Sequence, residues 1–344
     1  MATWDEVAGA LAGLGEENHF TGSVLVVEGE RTLLEVCAGL ANRATATPIH
    51  PDTRFGLASL SKPFTAAAVL SCVRDGLLGI PDRVADLLPA RRRPRSLSDQ
   101  VTVHHLLTHT SGIGDYAEED QDLPGYVEDY GALWGQVPMY RIERPDDLLP
   151  LYADAPPVAP PGTEFHYNNA GFVLLGAIVE QVTGQHFTSA VTERVLGPAG
   201  MASAGYFRSD EPVPDVAVGY QRHPGDPAGA RSNIFSIPVV GNGDGGAHAT
   251  PRDLDRFLRS IASGDLLGDG LSTQMRTHQV DVAGGVSYGY GLYLRADGGF
   301  GHGGGDPGVE TMARHIPDRD LTLVALCNGE EMLKHVWPLL VSAI

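Results

Sequence analysis

The sequence predicts a mixed α/β protein of the α+β kind. One antiparallel sheet is built from both chain termini and flanked by helices, and a mostly helical lobe is inserted between its halves. Strand-like runs cluster at the two ends, near 22–37 and again after about 280. Between them, from about 77 to 272, helical patterns dominate, broken by loops. At 344 residues the chain is also long for a single compact core. The sheet region is placed at 1–58 plus 280–344 and the helical region at 59–279, with the site in the cleft between them.

Residues 3–14 place Val7, Ala10, Leu11 and Leu14 at helical spacing. Two apolar strands then flank Glu28-Gly29-Glu30, a glycine turn. Residues 42–52, with Pro48 and Pro51, form a loop. A short polar stretch, Gly56-Leu57-Ala58-Ser59-Leu60-Ser61-Lys62-Pro63, runs into an alanine-rich segment that is apolar on all sides, so a buried helix is expected. Proline fits only a first turn, which puts the helix start near Ser59 and its stop near Asp75-Gly76. A short helix is expected in 101–112 and a second apolar one at 172–182. Thr250-Pro251-Arg252-Asp253 opens a third with a capping threonine. Strands are expected at 288–294, 308–316 and 321–327, and a last helix at 332–344.

Residues 115–162 are rich in Asp, Glu, Pro, Gly and aromatics and read as a long insertion that shapes a pocket. Within it Tyr126, Tyr130, Trp134 and Tyr140 serve either as core or as pocket lining.

A net charge of −19 argues against nucleic acid and anionic membranes as partners, since both need basic patches. The run Arg91-Arg92-Arg93-Pro94-Arg95 is read as a solvated loop. No stretch approaches a membrane span, and the N-terminus lacks leader features, so a cytosolic location is expected. Cys37, Cys72 and Cys327 are few and scattered; reduced thiols are expected, although Cys37 and Cys327 lie in strands that could be neighbours.

Ser59 and Lys62 are three apart and share one face of the first helical turn. A serine hydroxyl needs a base to become a nucleophile, and a buried lysine can be that base. The N–H of Ser59 is a donor that a helix start leaves free for an oxyanion. A second polar cluster, Phe165-His166-Tyr167-Asn168-Asn169, leads into the 172–182 helix. Tyr167 could shuttle a proton if cationic neighbours lower its pKa, and Asn169 could hold a substrate carbonyl or orient Lys62. A third, Gly301-His302-Gly303-Gly304-Gly305, lets backbone approach a substrate closely; taken alone it reads as a flexible turn between strands.

Together, Ser59-x-x-Lys62, Tyr167-x-Asn169 and His302-x-Gly304 resemble the three signature elements of the serine β-lactamase and D,D-peptidase-like superfamily, in its order. The segments 106–113, 245–253 and 287–292 resemble it too, so the likeness runs from about 20 to 328. It is nearest the class C β-lactamase, D-aminopeptidase and esterase branch. The resemblance implies that Ser59 forms an acyl-enzyme and that Lys62 and Tyr167 share base and acid duties. It implies an oxyanion hole from the N–H groups of Ser59 and Gly305, Asn169 on the acyl side, and His302 near Tyr167, influencing its charge. His302, Gly303, Gly304 and Gly305 stand as substrate-binding residues.

In one respect the sequence departs from many members of the superfamily. They carry Lys, then Thr or Ser, then Gly in the third element; here Gly303 has no hydroxyl and the lysine is replaced by His302. This lowers the expectation of β-lactamase or D,D-carboxypeptidase activity and favours substrates without a required carboxylate. The expected function is a serine hydrolase of a small-molecule ester or amide. An acyltransferase of the same fold is the alternative, and a non-catalytic binding homologue is disfavoured by the intact elements. No metal or organic cofactor is implied.

Other motifs are set aside. Gly285-Val286-Ser287-Tyr288-Gly289 matches a nucleophile elbow, but a strand rather than a helix follows it. The glycines at 241–246 do not follow a clear strand, which argues against a dinucleotide site. His104, His105 and His109 lack a zinc-protease spacing and read as packing and hydrogen-bonding histidines.

Overall fold

Thr3 caps the first helix, α1 (Trp4–Glu16): its hydroxyl accepts from the Glu6 N–H, and the Glu6 carboxylate accepts from the Thr3 N–H in return. The computed structural model describes residues 2–123, 125–127, 130–135, 137–222 and 231–344. After α1 come strands β1 (Gly22–Glu28) and β2 (Arg31–Ala38), then helices α2 (Lys62–Arg74), α3 (Val103–Leu107), α4 (Asn169–Thr183) and α5 (Pro251–Ser263). Six strands follow: β3 (Val280–Val282), β4 (Val286–Tyr288), β5 (Tyr293–Leu294), β6 (Phe300–Asp306), β7 (Val309–Ile316) and β8 (Leu321–Cys327). Helix α6 (Leu333–Val341) closes the chain.

The strands make one eight-stranded antiparallel sheet in the order β2-β1-β8-β7-β6-β5-β4-β3. Its two halves meet where β1 pairs with β8, from Gly22 opposite Cys327 to Glu28 opposite Leu321. The fold class expected from the sequence is therefore the one observed. Successive side chains of a strand point to opposite faces, and β1 is apolar on both because both are covered. Val24 and Val26 pack with Val7, Leu11, Val336 and Leu340 beneath α1 and α6. Leu25 and Val27 join the larger core that contains α2, α4 and α5. In that core Phe64 meets Phe257 edge to face, 4.7 Å between ring centroids. Strand β1 lies between Cys37 and Cys327, so those two are not strand neighbours, and all three cysteines are free.

Several expectations are corrected. Helix α2 starts at Lys62, not at Ser59; residues Ala58–Ser61 form a 3₁₀ turn that feeds it. The 288–294 stretch is not one strand. It is a hairpin joining β4 to β5, turned at Gly291, where φ is +69° and a Cβ would lie 2.7 Å from the Ala66 methyl. The glycines at 301–305 are not a flexible turn but the body of β6, paired along their length with β7. Arg92 is not solvated: it is buried, with Nε 2.7 Å from Asp146 and a terminal nitrogen 2.8 Å from Glu180 on α4. Buried charge is stable only when paired, so Arg92 pins its loop to the helical core. Among the described residues, no helix is long and apolar enough to cross a membrane.

Candidate active site

The 3₁₀ turn is clamped from three sides. The Leu57 N–H donates to the Ala247 carbonyl at 2.8 Å, and the Ala247 N–H donates to Ser61 Oγ at 3.0 Å. Thr311, on β7, donates its hydroxyl to the Leu57 carbonyl at 2.9 Å. Gly304 packs so closely on the turn that a Cβ would lie 2.2 Å from the Leu57 carbonyl oxygen. Ala58, just before Ser59, has φ +48°, a left-handed conformation that costs a non-glycine residue about 1–3 kcal/mol. The clamps hold that strain where the nucleophile candidate is presented. Thr311→Val removes the side-chain donor to the Leu57 carbonyl, which keeps only the Leu60 N–H at 3.0 Å. It is expected to lower stability by about 0.5–1.5 kcal/mol in urea unfolding and to reduce turnover with it.

Lys62 is wholly buried and its Nζ has three partners: Ser59 Oγ at 2.9 Å, Asn169 Oδ1 at 2.7 Å and the Asp244 carbonyl at 2.8 Å. Two of these, the amide oxygen and the carbonyl, can only accept. A neutral amine has two N–H bonds and one lone pair, so those two acceptors take its hydrogens and the lone pair faces Ser59 Oγ–H. Burial lowers the Lys62 pKa, against the opposing pull of Asp244, Glu119, Asp115 and Asp306. Asn169 is the hinge of this arrangement. Its Oδ1 faces Lys62 while its Nδ2 donates to Glu119 at 3.2 Å, so the protein engages both ends of the carboxamide.

Tyr167 lies against Ser59, and its ring sits 4.8 Å from Lys62 Nζ. Burial pushes its pKa well above the phenol value, with Tyr288 and Glu119 acting in the same direction, so the phenol keeps its proton. The lowered Tyr167 pKa considered from the sequence is thereby corrected. His302 brings no positive charge either: burial, then Lys62, hold its pKa down at about 3. Its ring stands 6.4 Å from that of Tyr167 and 5.0 Å from that of Tyr293. Gly303 packs near Met312, whereas a Cβ on Gly305 would meet nothing within 4 Å. On β6, strand β5 pairs only with Phe300 and Gly301, so among the described residues the edge from Gly303 to Asp306 has no strand partner on that side. Gly305 stands on this edge and, with Ser59, lines a cleft of about 1370 Å³.

Several residues at the site escaped sequence reasoning. Asp115 accepts from the N–H groups of Asn169, at 2.5 Å, and Ala170, at 3.0 Å, fixing the N-terminus of α4; burial raises its pKa to about 7. Glu118 holds His166 at 2.8 Å. Asp244 accepts from the Tyr116 hydroxyl, and Asp306 follows Gly305 with a pKa raised to about 7 by burial and by Asp244. The 115–162 insertion does line the cleft, through Tyr116, Glu118, Glu119 and Tyr130. Trp134 is buried, and Tyr126 and Tyr140 are exposed. Ser287 lies within β4, paired on both sides. His104 bonds the Tyr290 hydroxyl at 3.0 Å, and His105 accepts from the Thr102 N–H at 3.2 Å. Among the described residues there is no group of three His, Cys, Asp or Glu side chains fit to hold a metal.

The serine turn, the tyrosine segment and the glycine strand thus converge on one cleft, and the profile of the Beta-lactamase family matches residues 7–337. The chain belongs to the Beta-lactamase family. Within it, the chain is 29% identical to penicillin-binding protein 4* of Bacillus subtilis, over 96% of this chain and 73% of that protein. It is 33% identical to esterase EstB of Burkholderia gladioli, over 81% of this chain and 76% of that one. A crystal structure of a penicillin-binding protein from Bacillus halodurans superposes with a TM-score of 0.88 at 35% identity, covering 97% of this chain and all of that one.

Proposed function

We propose that this protein is a serine hydrolase that cleaves a small-molecule ester or amide through an acyl-enzyme on Ser59. The observation that carries the reading is the 2.9 Å contact from Lys62 Nζ to Ser59 Oγ, in a site where the other two Lys62 partners can only accept. Neutral Lys62 takes the Ser59 proton as Oγ bonds to the carbonyl carbon. The resulting oxyanion is met by the N–H groups of Ser59 and Gly305. Tyr167, still protonated, donates to the leaving oxygen or nitrogen as its bond to carbon breaks, and is reprotonated through Lys62. Water then repeats the steps in reverse and frees the acid. An amine or alcohol in place of water would make the same intermediate a transferase; product ratios with added acceptor measure that partition.

The substrate favoured by the cleft carries no carboxylate beside the scissile bond. The third element offers no cation, and although Arg208, Arg295 and Arg314 also border the cleft, the charges acting on Lys62 are those of Asp244, Glu119, Asp115 and Asp306. Asn242 lines the cleft too, buried, with no partner for either carboxamide atom among the described residues, and suits a polar uncharged group. The three free thiols fit a cytosolic setting.

Turnover of neutral p-nitrophenyl esters should exceed that of carboxylate-bearing analogues. Its kcat/KM should climb with pH along a limb set by Lys62, whose pKa lies below 10.5, because only the unprotonated amine accepts a proton. A rate that peaks near pH 5, or a preference for the anionic analogue, would contradict the reading.

A further inference from the structure

His109, a packing and hydrogen-bonding histidine by its sequence, lies directly beneath Tyr167. The two rings are 4.5 Å apart and inclined by 33°, and Phe172 supports His109 from another side at 4.9 Å. His109 is buried with φ +56°, a conformation that packing must enforce on a non-glycine residue. Its ring nitrogens are both engaged. The backbone N–H of Asn168, the residue after Tyr167, donates to Nδ1 at 3.0 Å, and Nε2 lies 3.2 Å from the Tyr288 hydroxyl. That hydroxyl lies 3.2 Å from His302 Nε2, and His302 Nδ1 lies 2.5 Å from the Gly303 carbonyl.

The two ends of this series fix every proton in it. A backbone N–H only donates, so His109 Nδ1 is bare and the ring proton sits on Nε2. A backbone carbonyl only accepts, so His302 carries its proton on Nδ1 and its Nε2 is bare. Tyr288 must therefore accept from His109 and donate to His302. A proton added to His109 Nδ1 would set donor against the Asn168 N–H, and one added to His302 Nε2 would take away the acceptor of the Tyr288 hydroxyl. The electrostatics agree. Burial and then Lys62 hold both histidines neutral, with His166 adding to the effect on His109, and burial and Tyr293 hold the Tyr288 proton in place.

We propose that His109, Tyr288 and His302 form a proton-ordered positioning chain that locks the Tyr167 segment to the backbone of β6 for acyl transfer. One end holds the backbone next to Tyr167 and supports its ring. The other holds the Gly303 peptide, two residues before the Gly305 donor. His302 thus acts through a fixed neutral tautomer, not as a charge and not as a substrate ligand. This inference rests on the serine-hydrolase reading for its kinetic consequence, and its protonation pattern can be read without any turnover.

The test has two arms on the full chain. Nitrogen NMR of the labelled protein between pH 5 and 8, with signals assigned from His109→Gln and His302→Gln, should show His109 as the Nε2–H tautomer and His302 as the Nδ1–H tautomer, neither titrating. Tyr288→Phe keeps the ring and removes the link. It should lower kcat about 10- to 100-fold, with KM within about threefold and the Ser59-acylatable fraction unchanged. A purely structural role would lower that fraction and leave kcat per acylated site intact. The opposite tautomer at either histidine, titration in that range, or an unchanged kcat per site would overturn the proposal. If Tyr288→Phe does not fold, the wild-type tautomers decide it. A wild type that turns over no ester removes the hydrolase reading and leaves the tautomer arm standing.

Discussion

Ser59→Ala is expected to lower turnover of a short-chain p-nitrophenyl ester by at least about 10⁴-fold while leaving the fold intact. The kinetic effect is large because every step runs through the Oγ–carbon bond, and no neighbouring hydroxyl can replace it: Ser61 Oγ is tied to the Ala58 carbonyl at 2.8 Å and takes the Ala247 N–H. The structural effect is small because the turn is held by Leu57, Ser61 and Thr311, none of which bonds the Ser59 hydroxyl. Initial rates and melting temperature, taken on the same preparation, check both halves. Retained activity would move attention to Ser287 on β4.

Lys62→Met should lower kcat about 10²- to 10⁴-fold and leave the melting temperature unchanged or raised. Methionine fills a similar volume without a polar head. The change releases Asn169 Oδ1 and the Asp244 carbonyl, both of which border the cleft and can be solvated. The pH dependence follows from the direction of the shift. The folded-state pKa of Lys62 lies below its ordinary 10.5, so between the two values the unfolded chain binds more protons than the folded one. Through this group stability rises with pH across that window, and below it the full cost of charging a buried amine is present. In Lys62→Met that slope should vanish from a series of urea titrations, together with the Lys62 limb of the rate profile. A melting temperature that falls sharply at every pH would show that Lys62 serves the fold more than the chemistry.

The outline of the fold was legible because burial follows period. The doubly apolar β1 and β8 and the all-round apolar α2 and α4 could only be central elements. What local pattern could not give was backbone geometry. Gly291 marks a hairpin inside a stretch whose composition reads as one strand, and the glycines of β6 look like a turn until β7 pairs with them. At the site, residue type and spacing made Ser59, Lys62, Tyr167 and Asn169 candidates, the resemblance to the family singled them out, and they lie within one hydrogen-bonded group. Asp115 and Glu119 were missed because their partners lie about fifty residues away, on α4. Asp244 was missed because it serves Lys62 with its main-chain carbonyl, which no side-chain type announces. His109 packs and hydrogen-bonds as expected, and what its residue type could not announce is which ring lies above it. The one available signal was its place in the same segment that resembles the family, just before Ser111-Gly112.

The most direct test of the central claim is to quench the wild type with acid during turnover of a slowly deacylated ester, digest it, and locate the added acyl mass by peptide sequencing. The account predicts the whole adduct on Ser59, none in Ser59→Ala, and its slower appearance in Lys62→Met. An adduct on Ser287 or any other residue, or steady turnover with no adduct at all, would contradict it.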